Sequence, residues 1–223
     1  MNVRALLLTA AFSLGLGTAA AQDTPAAEAP PAVGPTTYQL GKGTLIVVVR
    51  KDESTLAAGI SHNHAVQARG WSGSFTYDPS APSTCSVDVT VPVQQLTPDE
   101  PLARSIAGLE GEVDEGQRED IKKNILSSYQ LDAASHPTMT FKSTGCVLEN
   151  STLKLSGSLT IKGTTRPVTI PLRNFSADGS ALRGSGTLVI SGSSFGVEPY
   201  SAMFGQLKNQ DRWTFIFKLK GQS

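Results

Sequence analysis

An all-β fold, an eight-stranded antiparallel barrel with one flanking helix, is the architecture this sequence predicts, and three observations carry that reading. Short runs of alternating apolar and polar residues recur along the chain with turn residues between them. Helical spacing occurs once. The patterning also continues without a break from Thr36 to the C-terminus, so one domain with a single core is the economical organisation.

The strand-like runs are Tyr38–Leu40 leading into Thr44–Arg50, then Val66–Tyr77, Cys85–Val93, Thr138–Val147, Ser151–Ile161, Pro167–Phe175, Ala181–Ser191 and Arg212–Lys220. Val87, Val89, Val91 and Val93 alternate with Ser86, Asp88, Thr90 and Pro92. Trp213, Phe215, Phe217 and Leu219 alternate with Thr214, Ile216, Lys218 and Lys220. Successive strand side chains point to opposite faces, so each run offers one face to a core. The helix follows the Gly/Glu-rich stretch 108–116, with Ile121, Ile125 and Leu126 on one side among Arg118, Glu119, Asp120, Lys122 and Lys123. It is expected to cover an end or flank of the sheet. Closing so many strands into a barrel removes the exposed edges that template aggregation. A barrel of this size holds its own side chains or one slender ligand. Gly157, Gly184 and Gly186 interrupt strand runs and leave room either for bends or for a ligand's approach.

The first 21 residues read as a secretory signal peptide: Arg4, an apolar run from Ala5 to Leu16, then the small residues Thr18 to Ala21. The run is shorter than the about 20 apolar residues of a membrane-spanning helix. Residues 22–36, with Pro25, Pro30, Pro31 and Pro35 among Ala and acidic residues, form a flexible leader before a domain over 37–223. The expected location is periplasmic or secreted, with no integral membrane segment. In such an oxidising compartment Cys85 and Cys146, the only two cysteines, are either bridged or left as buried thiols. Formal net charge is zero and no segment carries a basic stripe, which argues against nucleic-acid binding.

The stretch from Pro137 to Val168, together with the later corner Phe195-Gly196, resembles the YceI-like family. The residues that carry the likeness are Pro137 with Phe141, the hairpin from Gly157 to Val168, and Phe195 with Gly196. Gly70 to Pro79, Ser86 to Val91, Ile190 to Val197 and Asp211 to Phe215 are similar to further family segments, in order, from about Tyr38 to Lys220. The resemblance implies a lipocalin-like barrel carrying a long isoprenoid lipid or quinone and allows a homodimer. Its ligand-facing candidates are the inward residues Phe75, Val89, Val91, Phe141, Leu159, Leu188, Trp213 and Phe215. The family's "Arg-Asp-x-His-Leu" motif falls on Ile121 to Ile125, where this chain reads Ile-Lys-Lys-Asn-Ile, so its head-group role does not carry over.

His62, His64 and Arg69 are the candidates for contact with a polar or anionic head group. A metal- or haem-linked factor using His62, His64 and His136 is the competing reading, and a ligand-free stress-response barrel is a third. No cofactor is implied. Catalysis has no support either: the chain contains no Gly-x-Ser-x-Gly elbow, no His-Glu-x-x-His and no phosphate loop.

Overall fold

Strand β1 (Thr36–Lys51) is the seam on which the sheet closes. The computed structural model describes residues 34–223, so the expected signal peptide and nearly all of the leader lie outside the described residues. After β1 come β2 (His64–Ala68), β3 (Ser72–Tyr77), β4 (Ser86–Pro92), β5 (Leu96–Pro98) and the helices α1 (Pro101–Ile106) and α2 (Glu115–Leu126). The remaining strands are β6 (Thr138–Glu149), β7 (Thr152–Ile161), β8 (Thr164–Ala177), β9 (Ala181–Ile190), the short β10 (Ser201–Ala202) and β11 (Leu207–Gln222).

Every pairing is antiparallel. The first half of β1 pairs with β3, from Thr36 opposite Tyr77 to Leu40 opposite Gly73, and its second half pairs with β2, from Ile46 opposite Gln67 to Val49 opposite His64. Thus β2 and β3 share one place in the wall, as do their partners β5 and β4. Along its other edge β1 pairs with β11, from Gln39 opposite Gln222 to Lys51 opposite Asn209. The circuit β1, β2/β3, β4/β5, β6, β7, β8, β9, β11 and back to β1 is a closed eight-stranded barrel.

Four local features differ from the sequence reading. The run Val66–Tyr77 is two strands, because the chain turns at Gly70, whose φ of 58° suits glycine. The β7–β8 connection is only Lys162 and Gly163, with φ of 47° and 71°, the both-left-handed pair that matches hairpin twist. Strand β5 and helix α1 were not foreseen; six residues are too few to display helical periodicity, although Pro101 sits at the helix start where its missing N–H costs nothing. Finally, β1 begins at Thr36, inside the expected leader.

The main core lies within the barrel. A smaller one lies outside it, where Ile46, Val48 and Ala65 pack beneath Ala103 of α1. This accounts for the unbroken apolar run from Leu45 to Val49: β1 is covered on both faces there, so strict alternation is lost. Helix α2 starts with a reciprocal cap, in which the Gln117 amide N–H donates to Asp114 Oδ1 at 2.9 Å and the Asp114 N–H donates to Gln117 Oε1 at 3.2 Å.

The end of the barrel near Thr36 is closed by aromatics. The Phe75 and Phe175 rings stack with centroids 5.8 Å apart, and Tyr77 meets Phe175 edge-on at 4.9 Å. Tyr38 is buried beside them, and its hydroxyl accepts the Gly179 N–H at 3.1 Å. Cys85 and Cys146 form a disulfide at the same end, joining the start of β4 to β6 across 61 residues.

Replacing both cysteines with serine frees a loop of that length in the unfolded chain and is expected to lower stability by about 4 kcal/mol. Differential scanning calorimetry should register a melting temperature lower by about 10 °C. The strand content by circular dichroism should be retained.

Candidate functional site: the barrel lumen

Inward side chains do not fill the barrel. Two adjoining chambers remain, one of about 110 Å³ toward the closed end and one of about 130 Å³ toward the open end. Val47, Val66, Leu96, Met139 and Phe215 line both and form the neck between them. The effect is visible in burial: Ile46 and Val48, which point outward beneath α1, are 0% and 4% exposed. Their inward neighbours Leu45, Val47 and Val49 are only half-buried, because they face the chambers.

The inner chamber is apolar. Among its described lining side chains only Thr140 carries a polar group. Its shape depends on small residues in the wall. Gly157 of β7 and Gly186 of β9 lie against aromatic rings, and a Cβ would sit 2.6 Å from the Phe141 ring at Gly157 and 2.8 Å from the Phe217 ring at Gly186. The rings are set into the wall at these gaps instead of crossing the lumen. The glycines at 157 and 186 thus admit aromatic rings of this chain, a role distinct from both the bend and the ligand approach that the sequence suggests.

The outer chamber has a mixed lining. Val49, Ile121, Ile125 and Trp213 supply apolar surface, while His64, Asn124, Gln130, Glu198, Asn209 and Gln210 supply hydrogen-bonding groups. Helix α2 reaches this chamber because β4 pairs with β6 only from Asp88 to Pro92, whereas β5 packs against α2. The strap from Ser191 to Tyr200 adds Glu198 and Tyr200 to the lining, and Gln130 Nε2 donates to the Glu198 carbonyl at 3.1 Å. Asp211 of β11 pins that strap by accepting the Ser193 N–H at 2.8 Å and the Ser191 and Ser193 hydroxyls. Burial works against ionisation of Asp211, but these bonds prevail and hold its carboxyl below the ordinary range.

His64 is held from behind. Its Nδ1 lies 2.7 Å from Asp99 Oδ2, and Asp99 Oδ1 accepts the Ala65 N–H at 3.0 Å and the Arg104 guanidinium at 2.9 Å. Arg104 also donates to the carbonyls of Asn63 at 2.9 Å, Gly111 at 3.0 Å and Glu110. Asp99 and Arg104 are 1% and 5% exposed, so this is a buried ion pair with its hydrogen-bonding capacity used. Burial alone would raise the Asp99 pKa. The bond and charge of His64, with the bonds from Ala65 and Arg104, outweigh burial and lower it. An ionised Asp99 takes the proton-bearing Nδ1 of His64, which leaves Nε2 as the nitrogen not engaged in this contact.

Of the residues singled out in the sequence, Val89, Val91, Phe141, Leu159 and Leu188 line the inner chamber, Trp213 the outer, and Phe215 both. Phe75 lines neither; it is 0% exposed within the aromatic cluster of the closed end, opposite Tyr38. His64 lines the outer chamber, whereas His62 and Arg69 are exposed and line neither. The three histidines do not assemble: His136 packs against Gly163, and among the described residues no group of three His, Cys, Asp or Glu is placed to hold a metal. Asp99 and Arg104 went unread. Their one trace in the sequence is the Pro98-Asp99-Glu100-Pro101 turn, where a helix starts immediately after a strand.

A closed antiparallel barrel, sealed at one end and hollow within, places the chain among the cavity-bearing up-and-down barrels. It belongs to the YceI-like family, whose domain model matches residues 48–219. Curated relatives named Protein YceI from Salmonella arizonae and Salmonella newport are 28% identical over 102 residues, 46% of this chain and 44% of theirs. The match therefore spans less than half the length of those relatives. BcnA of Burkholderia cenocepacia superposes with a TM-score of 0.58 at 18% identity, covering 79% of this chain and 95% of that one. A polyisoprenoid binding domain from Saccharophagus degradans, implicated in plant cell wall breakdown, gives 0.52 at 11% identity, covering 83% and 98%. These two likenesses establish a shared fold. Ile121, Asn124 and Ile125, which occupy positions of the missing family motif, do line the outer chamber.

Asp99→Asn leaves Arg104 buried beside a neutral partner and is expected to cost about 3–5 kcal/mol at neutral pH. Because the folded-state pKa of Asp99 is lowered, its stabilisation is complete above the unfolded carboxylate value of about 3.9 and is lost as pH falls through the lower folded value. The difference between wild type and variant, measured by urea denaturation across pH, should therefore shrink in acid.

Proposed function

We propose that this chain is an exported, non-enzymatic carrier that holds a long apolar lipid, such as the isoprenoid chain of a polyprenyl lipid or quinone, within its barrel. The observation that carries this reading is the unfilled apolar lumen, with Thr140 as the only polar side chain described around the inner chamber. Burying one five-carbon isoprene unit is favourable by about 3 kcal/mol at the usual transfer rate. A few units offset the several kcal/mol of association and ordering.

The polar groups at the outer chamber suit the head of an amphipathic molecule whose tail lies deeper. The polyisoprenoid binding domain from Saccharophagus degradans, similar in fold, agrees in kind with that chemistry. Export is supported by the disulfide. Among the described residues no helix is long and apolar enough to cross a membrane. The metal or haem reading finds no support in how the histidines are placed, and a ligand-free barrel does not account for the chambers.

Lipid extraction of the purified protein followed by mass spectrometry should recover a bound apolar chain; repeated recovery of none would sink the proposal. Val89→Trp, which places an indole in the inner chamber, should reduce the bound amount about tenfold, equivalent to some 1.4 kcal/mol. The thermal melt of that variant separates a blocked lumen from a misfolded barrel.

A further inference from the structure

At the open end, two loops carry large apolar side chains that nothing covers. Between β1 and β2, Leu56 is 89% exposed and Ile60 is 69% exposed. At the tip joining β10 to β11, Met203 is 52% exposed and Phe204 is 106% exposed. The two loops are one surface: the Ala57 N–H donates to the Gln206 carbonyl at 2.8 Å, and the Asp52 N–H donates to the Lys208 carbonyl at 2.8 Å.

The tip is not an economical turn. Met203 and Phe204 hold φ of 52° and 57°, a region that bulky L-residues rarely occupy and that turns normally fill with Gly, Asn or Asp. A strained backbone that projects a fully exposed phenylalanine loses on both conformation and solvation unless something outside the domain receives the ring.

The place of this surface identifies its occupant. The tip extends the segment whose Tyr200, Asn209 and Gln210 line the outer chamber, and the other loop extends the strands that supply Val49 and His64. The apolar loops therefore grow from the strands and the strap that line the outer chamber, at the mouth of the lumen. We propose that these loops dock the protein on a lipid bilayer, with Leu56, Ile60, Met203 and Phe204 inserted at the interface and the mouth facing the acyl layer. A second copy seated there would block the mouth, whereas a bilayer gives a lipid tail an apolar path into it.

Charge does not drive the contact. Arg50, Lys51 and Lys208 are set against Asp52 and Glu53, and Lys51 Nζ lies 3.5 Å from Glu53. The surface lacks the basic cluster that anionic membranes select, so insertion of apolar side chains has to supply the affinity. The biological purpose of docking rests on the carrier reading, but vesicle binding is measured without cargo.

Flotation of the purified protein with phosphatidylcholine vesicles tests the inference. Wild type is expected to float with the vesicles, with raised salt changing the bound fraction by less than about twofold. Leu56→Ser combined with Phe204→Ser should weaken partitioning about tenfold or more. The melting temperature of that variant should be unchanged, since both side chains are exposed in the fold. Absence of wild-type binding, or equal binding by the variant, overturns the proposal. So does concentration-dependent self-association in sedimentation that the same variant abolishes, since that would assign the patch to a second copy. A protein that binds vesicles but yields no extracted lipid sinks the carrier reading alone; one that yields lipid yet ignores vesicles sinks this one alone.

Discussion

Closure of β1 against β11 is the constraint on which the rest of the structure depends. The pairing joins Gln39 to Gln222 and continues to Lys51 opposite Asn209, so it binds the start of the described domain to its end. Until it forms, both strands are open edges and the interior is a groove in a twisted sheet. It is also the most demanding contact entropically, because nearly the whole domain lies in the loop that it closes. The register shift between Leu40 and Lys42 lets β1 satisfy this partner throughout while changing partners from β3 to β2 on its other edge. Gly43, with φ of 121° and Lys218 O where a Cβ would stand, is what such a close crossing requires.

Given closure, the two ends differ because their side chains do. Toward Thr36 the interior holds the ring cluster of Tyr38, Phe75, Tyr77 and Phe175, and the Cys85–Cys146 bridge lies at the same end. Toward Lys51 the wall is interrupted, because β5 pairs with β2 and not with β6. Volume removed by glycine on one strand is filled by an aromatic from its neighbour, as at Gly157 with Phe141 and Gly186 with Phe217. The bulk of the lining is thereby displaced outward. The hollow follows from where these rings rest and not from any shortage of large residues.

Much of this was legible in the chain. Period-two alternation in β4, β7 and β11 placed Val89, Val91, Leu159 and Phe215 on inward faces, and the chambers lie against those faces. Alternation reports a face, however, and not a depth. Phe75 is in phase with the lining yet belongs to the seal, because its neighbour across the strand pair is Tyr38 and its stacking partner Phe175 comes from a distant strand. His62 and Arg69, expected to meet a head group, are exposed and line neither chamber, since each lies just outside β2. Arg104 shows no periodicity because a six-residue helix has too few turns to display one, and its pairing with Asp99, which lies before that helix, is a property of the fold.

That ion pair also bears on why a barrel wall should contain charge at all. Replacing a buried pair with apolar residues is often neutral or stabilising, so net stability is a weak account of Asp99 and Arg104. What a hydrophobic substitute cannot do is connect four backbone groups on two segments of chain, and one imidazole, in fixed directions. The Asp99 carboxylate holds the Ala65 amide, the His64 ring and Arg104, and Arg104 in turn holds the carbonyls of Asn63, Glu110 and Gly111. Asp99 meets this geometry at a left-handed φ of 53°, a cost the surrounding bonds offset. The outer cover formed by α1 and the loop after it is thus fastened to the same strand that presents His64 to the chamber. The polar face of the mouth is set by a rigid bracket behind the wall, and the loop that carries Leu56 and Ile60 runs into that bracket through Asn63.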